Sequence, residues 1–125
     1  MLIPHLHFGD GQCKDAIALY EKAFHTKVKE KEIDYAPDGN IAHAGMKIHG
    51  QELFLNDGKE HFEAIGIHFD AHLIVTFKTA KELLACYEIL KADGDGPPPF
   101  REAPYSKLAG NFRDKFGVYW GFMIW

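Results

Sequence analysis

The sequence predicts an α+β fold: two repeated βαβββ units whose strands form a curved, cup-shaped mixed sheet with the helices outside. Three observations lead there. Residues 71–90 restate residues 4–23 without a gap, at the offset 72 − 5 = 67, which carries His5 onto His72, Asp15 onto Glu82, Ile17 onto Leu84, Tyr20 onto Tyr87 and Glu21 onto Glu88. A fixed self-similarity of this kind is the mark of a repeated structural unit. Each copy opens on a segment that alternates apolar and polar residues, the period of a half-buried strand, and continues into an apolar stripe at helical spacing. The units span about 1–57 and 71–125, with 58–70 as the linker, in a single domain.

In the first unit, Ile3 to Phe8 alternates, with His5 and His7 on one face and Leu6 and Phe8 on the other. Cys13, Ala16, Ile17, Tyr20, Ala23 and Phe24 then form a stripe over Gln12 to Phe24 that must lie on a sheet. Lys27 to Tyr35 is expected as a solvent-edged second strand. Pro37-Asp-Gly-Asn40 is turn chemistry, because Asn and Gly tolerate left-handed backbone angles. Ile41 to Ile48 and Glu52 to Asn56 are the third and fourth strands, joined tightly at His49-Gly-Gln51. Asp57 to Asp70 has no clean period beyond Ile65, Ile67 and Phe69.

The second unit repeats the plan. His72 to Phe77 is its first strand, and Thr79 with Glu82 is a capping box opening a helix over Thr79 to Ala92. That helix carries Ala80, Leu83, Leu84, Tyr87 and Leu90 on one stripe. Asp93-Gly-Asp-Gly-Pro-Pro-Pro99 stops it, since prolines cannot continue a helix. Phe100 to Tyr105, Leu108 to Arg113 and Val118 to Trp125 complete the strands.

A chain of 125 residues with 46% hydrophobic content and ten Phe buries a real core. The formal charge of −4 and the absence of a basic block argue against a nucleic-acid or anionic-membrane partner. No apolar run approaches spanning length, and Met1-Leu-Ile-Pro4 does not open a signal peptide. Cys13 and Cys86 fall inside helix patterns, as free thiols of a reducing compartment would. We therefore expect a soluble cytoplasmic protein with a small-molecule partner, no nucleic-acid partner and no membrane.

Pro4-His-Leu-His-Phe8, Ala16-Ile-Ala-Leu-Tyr20, His43-Ala44, Gly50-Gln-Glu-Leu-Phe-Leu-Asn-Asp57 and Asp114-Lys-Phe-Gly-Val-Tyr-Trp120 stand in an order that resembles the PhnB-like branch of the vicinal oxygen chelate superfamily, the glyoxalase, bleomycin-resistance and extradiol dioxygenase group. The resemblance covers nearly the whole chain and implies the glyoxalase/bleomycin-resistance fold. It also implies a divalent metal ion held from the first and fourth strands of each unit, and pairing as a homodimer. The first-strand ligands it carries over are His5 and His72. The fourth-strand positions fall on Phe54 and Gly121, which have no donor atom. The chain also departs from the branch at Gly45, Tyr105 and Tyr119, where Glu, Trp and Arg or His are common, and at His5, where Tyr is.

The candidate ligand-binding residues are His5, His7, His43, Phe54, His72, Tyr105 and Tyr119, with His5 and His72 as the metal pair. Imidazoles gathered in one cup can bind a metal or work as acid and base near neutral pH. Phe54, Phe100, Tyr105, Tyr119 and Met123 are expected as an aromatic wall. Two functions stay open: a protein that binds a small aromatic or anionic metabolite over a degenerate metal site, and a metal-dependent lyase, isomerase or dioxygenase. No Gly-x-Ser-x-Gly elbow and no glycine-rich strand-to-helix loop occurs, which removes serine-nucleophile chemistry and a nucleotide-like cofactor cradle.

Overall fold

The computed structural model describes residues 1–66, 71–93 and 96–125. Ile67 and Phe69, the end of the expected linker, and Gly94 and Asp95 of the expected helix stop lie outside the described residues. The chain divides into two compact units, Met1–Phe69 and Asp70–Trp125. Each unit is an α+β arrangement with one four-stranded mixed sheet.

The first unit runs β1 (His5–Phe8), α1 (Cys13–Phe24), a single 3-10 turn (Glu30–Glu32), β2 (Asp34–Tyr35), β3 (Ile41–Ile48), β4 (Gln51–Asp57) and α2 (Lys59–Ala64). Its sheet order is β1-β4-β3-β2, with β1 parallel to β4 and the other pairs antiparallel. The six residues of the predicted α1 stripe are the six that α1 buries. They pack on the sheet face that carries Phe8, Met46, Leu53 and Leu55, all nearly inaccessible to water. Asp57, at the end of β4, joins these layers: its carboxylate accepts from Cys13 N at 2.9 Å and from Ile41 N at 2.8 Å. It thereby satisfies an orphan donor at the start of α1, where Gln12 provides no side-chain cap.

Two expectations for this unit change. The long second strand shrinks to Asp34–Tyr35, because Lys29, Glu30, Lys31 and Glu32 bury nothing and the Glu30–Glu32 turn forms instead. The expected linker contains α2. This helix buries no residue and has no apolar period, so its support is tertiary: Glu60 Oε1 accepts from Asp10 N at 2.9 Å, and Phe62 lies against His7. An i,i+4 pair between Lys59 and Glu63 adds a few tenths of a kcal/mol at most.

The second unit runs β5 (Leu73–Phe77), α3 (Ala80–Leu90), β6 (Arg101–Ala103), β7 (Ser106–Arg113) and β8 (Tyr119–Ile124), in the order β5-β8-β7-β6. Thr79 Oγ1 accepts from Glu82 N at 3.2 Å, the cap the sequence predicts. The buried stripe of α3 is Leu83, Cys86, Tyr87 and Leu90; Ala80, in the first turn, is exposed. Tyr87 meets Phe112 and Phe100 edge-on at 4.9 and 5.1 Å, so Phe100 belongs to the core under the helix and not to a ligand wall. Gly110 is required there, since a Cβ would stand 2.4 Å from the Pro99 carbonyl oxygen. Asp114, 3% exposed, accepts from Phe116 N, Val118 N and Trp120 Nε1 and closes the β7–β8 turn.

The repeat is exact in faces and inexact in register. Leu53 and Leu55 correspond to Trp120 and Phe122 at the offset of 67, and all four are buried. In the first unit His5 pairs with Phe54, whereas Gly121, the counterpart of Phe54, pairs with Ile74. The position equivalent to His5 in the ladder is therefore Ile74, two residues beyond His72.

Candidate functional site

Each sheet has a far face, turned away from its long helix. In the first unit, alternation places His5 and His7 of β1, His43 of β3, and Phe54 and Asn56 of β4 on that face, because their partners along both ladders share one side. Their rings touch in sequence. His5 lies 4.4 Å from His7 and 6.0 Å from His43, between ring centroids, and Phe54 stands edge-on to His43 at 4.6 Å and to His5 at 5.9 Å. His7 Nδ1 meets Asn56 Oδ1 at 2.6 Å. Burial, then the neighbouring His7 and His43, hold the His5 pKa below its ordinary value, favouring the neutral imidazole. Four predicted site residues, His5, His7, His43 and Phe54, thus form one cluster.

The other three, His72, Tyr105 and Tyr119, line a cavity of about 920 Å³ on the second unit. His72 and Tyr119 approach to 5.2 Å between centroids, and Arg113 lies over the outer face of the Tyr119 ring at 5.1 Å. Tyr105 sits in the turn between β6 and β7, 67% exposed at the rim. Arg101, Glu102, Asn111 and Trp125 add to the polar and aromatic lining. The signal for Arg101 and Asn111 was available only from the ladder, which aligns Arg101 with Ala109 and Asn111 with Gly121. Asn56 and Phe62 were missed in the first unit: Asn56 is two residues beyond Phe54 on the same face, and Phe62 comes from α2.

The divalent metal that the superfamily implies does not fit the fourth-strand positions. Phe54 offers only a ring, already in contact with His5 and His43. At Gly121 a Cβ would stand 3.0 Å from the His72 imidazole and 2.9 Å from Asn111 Oδ1, so the space a ligand side chain would leave from is filled. The two thiols do not replace the lost donors, because burial raises both, Cys13 with help from the Asp57 charge, to about 12. Among the described residues no group of three or more His, Cys, Asp or Glu is arranged to hold a metal ion, and no helix is long and apolar enough to cross a membrane.

The profile of the 3-demethylubiquinone-9 3-methyltransferase family matches residues 1–123. The chain belongs to this family, the PhnB-like branch of the vicinal oxygen chelate superfamily. Protein YjdN of Escherichia coli K12 is 27% identical over 138 residues, covering 95% of this chain and 91% of YjdN. Among solved structures, a PhnB protein from Bacillus cereus shares 24% identity with a TM-score of 0.76, over 99% of this chain and 98% of that one. A Pseudomonas aeruginosa protein reaches 0.80 at 20% identity over 99% and 96%. A glyoxylase/bleomycin resistance protein/dioxygenase domain from Frankia reaches 0.63 at 20% over 98% and 93%. These structural likenesses establish the PhnB-like chain's fold.

Proposed function

We propose that this PhnB-like protein binds a small aromatic or anionic metabolite on the far faces of its sheets, over a degenerate metal site. The observation that carries the reading is the second unit's cavity. Its volume of about 920 Å³ suits a small molecule, and its lining joins aromatic rings to the nitrogen donors of His72, Arg101 and Asn111, with the Glu102 carboxylate beside them. A guanidinium receives a carboxylate through two parallel hydrogen bonds, and exposed rings gain by being covered with a planar group. The transfer of a methyl group finds no support in the residues, because no glycine-rich turn cradles a nucleotide-like donor.

Benzoate is the simplest probe of this chemistry. Titration followed by the fluorescence of Trp125, 82% exposed beside the cavity, should show saturable binding that Arg101→Ala weakens about tenfold, the effect of losing one charge-assisted contact. Binding unaffected by Arg101→Ala and by Tyr119→Ala would remove the cavity from the proposal.

The alternative, a divalent-metal-dependent lyase, isomerase or dioxygenase, draws on the retained His5 and His72. Elemental analysis of protein purified without chelator or affinity-tag metal separates the two. Well under one ion per chain is expected; one tightly held ion per chain, lost in the His5→Ala/His72→Ala double mutant, would restore the enzyme. A cytoplasmic homodimer belongs to the same proposal. Sedimentation equilibrium measures it.

A further inference from the structure

On the first unit's far face, His7 has a side-chain hydrogen-bond partner at one of its ring nitrogens. Its β1 position pairs directly with Asn56 of β4, so the backbone ladder holds the two side chains next to each other. His7 Nδ1 and Asn56 Oδ1 are 2.6 Å apart. An amide oxygen only accepts, so the imidazole donates: its neutral form carries the proton on Nδ1, and Nε2 is left with a free lone pair. Both ring faces have neighbours, Phe62 of α2 at 4.0 Å and His5 at 4.4 Å between centroids. Nε2 is consequently the polar atom this ring has left to offer.

We propose that His7 Nε2 is the acceptor that receives a hydroxyl or ring N–H of a planar ligand on this face, and that Asn56 is the positioning residue that keeps the ring in its Nδ1–H form. The inference rests on the reading that the far faces bind a small metabolite. The class of group follows from the neighbours. Lys47 on the same face is 4.0 Å from Glu52, so this cation already faces a carboxylate. The rings that lie against His7 are those of Phe62 and His5. Such a setting disfavours an anion and suits a neutral donor carried on a flat ring.

Long-range proton–nitrogen NMR of the full chain at pH 7.5 tests this without any ligand. The wild type should show His7 protonated at Nδ1. Asn56→Leu should shift the ring to the Nε2–H form that an unconstrained imidazole prefers. Asn56→Asp, which still accepts a hydrogen bond, should restore Nδ1–H and so excludes general damage as the cause. Phenol, added as a probe, should then move the Nε2 resonance in the wild type and in Asn56→Asp, with affinity reduced about tenfold in Asn56→Leu. An Nε2–H tautomer in the wild type, an unchanged tautomer in Asn56→Leu, or an Nε2 resonance unmoved by saturating phenol would each overturn the proposal. Benzoate binding read by Trp125 reports the second unit, so failure of this inference and failure of the proposed function give separate results.

Discussion

In the middle of β4 stands Phe54, with its ring against His5 and His43; at the matching point of β8 stands Gly121, and the His72 imidazole lies over the space a side chain would take. The helix sides of the two sheets remain alike, with Leu53 and Leu55 in one and Trp120 and Phe122 in the other. The far sides have diverged into a packed ring cluster and a cavity of about 920 Å³. Burial under a helix constrains a residue through its whole surround, whereas the far face lacks that constraint. The difference teaches that a duplicated unit can preserve its core while its two far faces take different chemistry, a cluster of imidazoles in the first and an arginine with aromatic rings in the second.

The largest effect expected tests the shared half of this comparison. Tyr20, fully buried, and Tyr87, 8% exposed, are anchors of equivalent helices. Tyr20→Ala and Tyr87→Ala should each lose about 3–5 kcal/mol, as removal of a large buried ring does. Urea melts of both variants measure it, and a loss confined to one of them would break the equivalence of the cores.

A smaller effect is expected where the units differ. Gly121→Ala places a methyl 3.0 Å from the His72 ring and 2.9 Å from Asn111 Oδ1, both of them side-chain atoms able to yield. The fold should survive while His72 lifts from the cavity floor and benzoate affinity falls about tenfold, a change of about 1.4 kcal/mol. If Gly121→Ala binds benzoate as the wild type does, the glycine is not what opens the second face.

The smallest effect concerns pH and belongs to the first unit. His5 has a folded pKa below 6.5, so between that value and 6.5 the unfolded chain binds more protons than the folded one. Its contribution to stability is complete above pH 6.5 and is lost as the pH falls through the folded pKa. Proton NMR titration should show His5 titrating below 6.5 in the wild type. It should move upward in Phe54→Ala, which lets water reach the ring, and in His43→Ala, which removes one of the neighbours that hold it down. A His5 pKa unchanged in both variants would separate the ring cluster from its electrostatic effect.

The amino-acid sequence by itself determined the repeat, the class of each long element and the faces of the strands. Hydrophobic period is a local property, and the stripes of α1 and α3 and the alternation of β1, β3 and β4 are written in adjacent residues. That is why His5 and His7 were legible on one face of β1, whereas the loss of donors at Phe54 and Gly121 was legible only through the resemblance to the superfamily, and the meeting of His5 and His7 with His43 and Phe54 was decided by the sheet. Tertiary structure alone decided the rest. Helix α2 forms in a segment without period because Glu60 and Phe62 find Asp10 and His7 from the other end of the unit. The ladder of the second unit is shifted so that Ile74, and not His72, stands opposite Gly121. Asn56 acquires its role only through the neighbouring strand. Register and side-chain pairing depend on residues far apart in the chain, and an intrinsic preference of one segment carries no information about which partner it meets.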